Sequence, residues 1–225
     1  MTGEQSAAEK RKFLVRVYNW MGFGLALTGL IAWFVAESPA LMQAILGNQI
    51  IFFGLIIAEL GAVLYLSARI AKINAKTASG LFVGYAILNG LTFSAIFAAY
   101  TQSSITTAFV VTGGMFGAMS FYGATTKKSL ESWGSFFFMG LVGIIIASVV
   151  NIFLQSSAVY WISTYAGVLI FTGLTAYDTQ KILAMNVTGV GAEEETKEAI
   201  MGALALYLDF INLFLMLLRI MGNRK

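Results

Sequence analysis

The chain has 225 residues, 58% of them hydrophobic and 11% charged, and its mean hydropathy is +0.80. A soluble domain carries about 25% charged residues, and no soluble core of this length absorbs so much apolar surface, so the composition asks for a lipid bilayer as solvent. The net formal charge of +3 sits in connecting loops, which excludes the basic face of a nucleic-acid binder. With no cysteine and no histidine, disulfides, zinc-thiolate sites, thiol nucleophiles and the usual neutral-pH switch are excluded as well.

Seven apolar runs follow one another, each near the roughly 20 residues that a helix needs to cross about 30 Å of hydrocarbon. The first, 17–36, follows Lys10, Arg11, Lys12 and Arg16 and lacks a cleavage site, so it reads as a retained helix rather than a signal peptide. The second, 50–68, carries Glu59 and stops before Arg69. The third is 80–100. The fourth, 105–123, contains the small-residue pattern Gly113 to Gly117, which permits close helix approach in lipid.

The fifth, 133–154, and the sixth, 160–184, begin at Trp133 and Trp161; with Trp20 and Trp33 near the ends of the first run, these read as interfacial anchors. The polar stretch Val187 to Glu198, with Glu193, Glu194 and Glu195, reads as a mobile loop before the seventh run, 199–221. The expectation is an all-α integral membrane protein, with residues 1–225 forming a single membrane domain. The lone proline, Pro39, falls in a loop, which argues against the broken helices of many transporters.

Basic residues set the orientation. With the N-terminus in the cytoplasm, eleven of the fourteen Lys and Arg residues fall inside and the three outer loops have none. A full seventh crossing leaves Arg219, Arg224 and Lys225 outside, whereas a re-entrant hairpin returns them. Eleven Leu, Ile and Phe residues between Leu204 and Ile220 supply about −3 to −7 kcal/mol against about +3 for Asp209, which favours the full span.

Three acids lie within the spans, at Glu59, Asp178 and Asp209, and an intramembrane acid is a functional candidate by default. By helix rise Asp178 lies about 10 Å and Asp209 about 15 Å from the inner face, comparable depths. Two carboxylates about 4 Å apart at an effective dielectric of 20 repel by about 4 kcal/mol, which places the loss of the pair's second proton near pH 7. A shared proton then holds two helices together in acid, and its loss separates them. The alternative is local satisfaction, Asp178 by Lys181 and Asp209 by Asn212, each three residues on. Glu59 is either a pathway residue or a buried tie to a partner such as Asn89, and Arg69 either snorkels or pairs with the aspartates.

The runs Thr172-Gly173-Leu174-Thr175-Ala176-Tyr177-Asp178-Thr179-Gln180-Lys181 and Leu206-Tyr207-Leu208-Asp209-Phe210-Ile211-Asn212-Leu213-Phe214, with Asn89-Gly90-Leu91-Thr92, Ser120-Phe121-Tyr122-Gly123 and Thr126-Lys127, resemble the Bax inhibitor family, most closely its bacterial inner-membrane branch. The likeness runs from about residue 15 to 222. It implies six helices around a central seventh and a calcium leak governed by a di-aspartyl pH sensor at Asp178 and Asp209. It also implies a latch arginine that matches Arg69 within a one-residue shift. Calcium ions are then the transported species, with no cofactor and no resident metal. The basic tail of eukaryotic members shrinks here to Asn223, Arg224 and Lys225.

The expected function is a pH-sensitive calcium leak channel with Glu59 in its path. A non-conducting regulator that binds a membrane quality-control protease or a stress-signalling partner is the alternative. An enzyme is not expected: Asp209 follows Leu206-Tyr207-Leu208 rather than the Gly-x-Gly of intramembrane aspartyl proteases, and Pro39 lies too far out to serve their Pro-Ala-Leu element.

Overall fold

A computed structural model describes residues 3–185 and 190–225, with side chains from residue 8 onward. Among the described residues there are eight α-helices and no named strand: α1 Gly3–Ala36, α2 Pro39–Leu46, α3 Gln49–Arg69, α4 Ala75–Ala99, α5 Gln102–Thr125, α6 Glu131–Leu154, α7 Ser157–Ala184 and α8 Ala192–Met221. All but α2 are long and apolar enough to cross a membrane, and they match the seven predicted runs. The short α2 falls where a loop is expected. Ser38 accepts from the Leu41 amide at 3.4 Å and Pro39 takes the first helical position, a start signal sufficient to nucleate one brief helix.

Asparagines in the loops start the next long helices in the same way. Asn48 Oδ1 accepts from the Ile50 and Ile51 amides at 3.0 and 3.3 Å, and Asn74 Oδ1 from the Thr77 amide at 2.8 Å. The acidic stretch corrects the predicted loop: α8 begins at Ala192, so Glu193, Glu194 and Glu195 form its first turn, where carboxylates favour the positive end of the helix dipole. Val187, Thr188 and Gly189 of that stretch lie outside the described residues.

The chain divides into two compact units. One comprises Met1–Thr101, Asn186–Tyr207 and Arg224–Lys225, and the other Gln102–Met185 and Leu208–Asn223. In the first, α1 packs along α4 with α3 on another side of α4. Its core includes Phe13, Val17, Phe82, Ala86 and Tyr207. Trp20 belongs to this packing as well as to the predicted anchors, meeting Phe82 edge-on at 6.0 Å, whereas Trp33, Trp133 and Trp161 are exposed.

Both ends of α8 are fastened to α4 within this unit. At one end Glu193 Oε1 accepts from the Ala75 amide at 3.3 Å, and Glu195 pairs with Arg16 of α1 at 3.1 Å. At the other end Arg224 forms an antiparallel bridge with Tyr100. There the Lys225 amide donates to Ala99 O at 3.1 Å and its Nζ to Phe97 O at 2.9 Å. The first turn of α8 therefore meets the start of α4, and the residues after α8 meet the end of α4. α8 is one unbroken helix parallel to α4, which excludes the re-entrant hairpin. The two basic tail residues of the seventh crossing are accommodated: the Lys225 ammonium sits on the negative end of α4, and Arg224 lies over the Tyr100 ring at 5.9 Å.

In the second unit α7 packs against both α5 and α6. The tight contacts are not made at Gly113 and Gly117, where a Cβ would meet nothing within 4 Å. They lie instead at sites such as Gly123, pressed against the Ala176 backbone, Gly134, covered by the Tyr177 ring, and Gly173, covered by the Phe137 ring. Burial separates the helices by role. The most apolar stretches of α3 and α6 are 6% buried and face lipid, whereas that of α8 is 72% buried, as a core helix requires.

Candidate functional site

The second unit contains an antiparallel seam between α7 and the end of α8. Phe171 and Leu174 pack with Leu213, Met216 and Leu217 in one buried cluster. Stepping one further turn along each helix, from Leu174 to Asp178 and from Leu213 back to Asp209, puts the two aspartates at the end of this apolar seam. Their carboxyls lie within interaction distance of each other. Carboxylates only accept, so a hydrogen bond between the two can form only when one of them carries a proton. Asp209 is 4% exposed, with Oδ2 left without a partner, and Asp178 is half-buried. Phe210, beside Asp209, is held edge-on by Phe109 and Phe116 of α5 at 5.4 and 5.5 Å.

Neither local neighbour pairs directly with its aspartate among the described residues. Lys181 is exposed, its ammonium lies 5.9 Å from the centre of the Tyr177 ring, and it makes no ion pair with Asp178 among the described residues. Asn212 Nδ2 donates to Leu208 O at 2.8 Å, back along its own helix.

Glu59 and Arg69 both lie on α3, in the first unit. Glu59 is half-buried and its Oε1 accepts from Thr92 Oγ1 of α4 at 2.7 Å. The expected partner, Asn89, sits one turn earlier on α4, 4% exposed, with its Nδ2 unpartnered. Thr92 was within reach of the sequence, since it shares a helical face with Asn89 at a spacing of three. Arg69 is the last residue of α3, exposed and in no ion pair among the described residues.

A buried hydroxyl pair in the first unit carried no sequence signal beyond residue type. Thr28 Oγ1 of α1 donates to Ala86 O at 2.9 Å and lies 2.7 Å from the Tyr207 hydroxyl. Since the threonine proton is committed to Ala86, Tyr207 is the donor to Thr28.

The family model described as inhibitor of apoptosis-promoting Bax1 matches residues 10–225. The chain belongs to the Bax inhibitor family. Inner membrane protein YbhL of Escherichia coli strain K12 is 51% identical over 223 residues, covering 98% of this chain and 95% of that protein. An uncharacterised protein of Deinococcus radiodurans is 42% identical over 225 residues, covering 100% of this chain and 96% of the relative. An uncharacterised membrane protein of Streptococcus pyogenes serotype M3 is 33% identical over 221 residues, covering 97% and 96%. With seven apolar helices and these relatives, this member of the family is a multi-pass inner-membrane protein.

Proposed function

We propose that the protein is a pH-sensitive leak for calcium, with its N-terminus in the cytoplasm and the Asp178–Asp209 pair as its gate. The observation that carries this reading is the juxtaposition of the two carboxyls at the end of the α7–α8 seam, with Asp209 almost wholly buried and no ion pair to either acid among the described residues. While the pair keeps its proton, α7 and α8 are joined at the end of their seam. When the proton leaves, two anions face each other in a poorly solvated place and repel, and relief comes from parting the helices. Glu59 offers a third carboxylate, on α3, for a passing cation, and Arg69 is the latch cation at the end of that helix. Calcium as the ion comes from the family resemblance. No catalysis is assigned to the aspartates.

The test is flux in proteoliposomes loaded with a calcium indicator. Wild-type flux should rise as pH is raised through neutrality, and Asp178→Asn or Asp209→Asn should remove that dependence. Flux with an unchanged pH profile in both variants would sink the mechanism. Absence of flux from folded wild-type protein, with stoichiometric co-purification of a membrane protein, would favour a non-conducting regulator.

A further inference from the structure

Two residues past Asp178, Gln180 spans from α7 to the α5–α6 connection. Its Oε1 accepts from the Leu130 amide at 2.8 Å and its Nε2 donates to Lys128 O at 2.9 Å. Leu130 is 8% exposed and is the residue that opens α6, with no side-chain cap of its own. Without Gln180 its amide would be left without an acceptor in a buried position, a costly arrangement that gives the contact force. The same turns of α7 are gripped on both flanks. Ala176 lies on Gly123 of α5, Tyr177 lies on Gly134 of α6, and Thr179 Oγ1 reaches Ser120 Oγ of α5 at 3.4 Å. These contacts resist sliding of this segment along α5 or α6, because closely packed helices move between discrete arrangements rather than deform continuously.

We propose that Gln180 is a positioning residue of the gate, which bolts the Asp178 turn of α7 to the α5–α6 loop so that the two form one rigid jaw and displacement occurs at Asp209. This rests on reading the Asp178–Asp209 pair as the gate. The charged groups carried by the elements around this turn are Lys181 on α7 itself, Lys127 and Lys128 on the loop, Glu131 at the start of α6 and, on α8, Asp209 with Arg219 toward one end and Glu193, Glu194, Glu195, Lys197 and Glu198 toward the other; α5 carries none. The jaw therefore brings a single carboxylate to the pair, and the loop lysines are carried with it.

The cysteine-free chain is a ready background for spin labelling. Labels at Lys128→Cys and Ala184→Cys, both exposed positions, report the loop-to-α7 distance in proteoliposomes by pulsed electron resonance. In the parent the distribution should be narrow and the same at acid and alkaline pH. Gln180→Met, which keeps bulk and loses both hydrogen bonds, should broaden it and make it pH-dependent. The flux midpoint should then move to lower pH, because Asp178 is no longer held against Asp209. A parent distance that changes with pH overturns the proposal, and so does a Gln180→Met protein with the parental distribution and flux profile. Should Gln180→Met fail to fold, the parent distances at two pH values decide alone. Wild-type flux without pH dependence would remove the gate reading, while the distances still test the tether.

Discussion

Gly123 is where the fold tolerates least. A Cβ added there would lie 2.9 Å from both the Ala176 carbonyl carbon and its Cα, and closer still to the carbonyl oxygen. These are backbone atoms in mid-helix, so they cannot rotate away, and α5 and α7 must separate. Over-packing of a tight interface costs about 1–3 kcal/mol, or about 5- to 150-fold in the unfolding equilibrium at 1.4 kcal/mol per decade. Gly123→Ala should therefore lower stability by that amount when purified protein is unfolded by titration from mild into denaturing detergent. Gly113→Ala and Gly117→Ala are the controls. A methyl at either meets nothing within 4 Å, and the gain in helix propensity makes them neutral or more stable by up to about 1 kcal/mol. Equal stabilities for Gly123→Ala and Gly113→Ala would refute the reasoning and restore the Gly113–Gly117 pattern as the packing face.

In the first unit, Tyr207→Phe should cost only about 0.6–1.5 kcal/mol, since Thr28 keeps its donation to Ala86. Thr28→Val should cost more, about 1–3 kcal/mol, by stranding the hydroxyl of a Tyr207 that is 0% exposed; the reverse order in detergent unfolding would contradict the donor assignment. Lys197 is 6% exposed and pairs with Glu194 at 2.8 Å. Hence Glu194→Ala should destabilise by about 1–3 kcal/mol and Lys197→Met by much less, whereas breaking the more exposed Arg16–Glu195 pair with Arg16→Ala should cost about 0.2–1 kcal/mol and matter less in high salt. A double-mutant cycle of Glu59→Gln with Thr92→Val should return a coupling of about 0.6 kcal/mol or more, and zero coupling would deny the 2.7 Å hydrogen bond.

The seven crossings were legible because the bilayer imposes one length and one polarity on every run, and few sequences satisfy both by accident. The aspartate pair was legible for a related reason: depth along a helix follows from counting residues, and two acids at similar depth have few other partners in lipid. What counting does not give is azimuth. Gly113 and Gly117 have the right spacing on a face that meets nothing, while Gly123 and Gly134, with no such pattern, receive a backbone and an aromatic ring. Glu59 shows the same limit, with its donor one turn beyond Asn89. The acidic start of α8 misled because three adjacent glutamates look like a solvated loop when nothing indicates that Arg16 and the first amide of α4 stand opposite them. Gln180 is an ordinary polar residue at a helix end until the course of the α5–α6 loop is known.

The fastening of α8 to α4 at both ends limits what this helix can do. A rod held by Glu193 at one end and by Arg224 and Lys225 at the other has no piston stroke, because any translation along its axis breaks one set of attachments. Bowing between the anchors remains, and it displaces the middle of the rod most. Asp209 lies near that middle, so under the proposed gate a change of a single proton would act where bowing displaces the helix most.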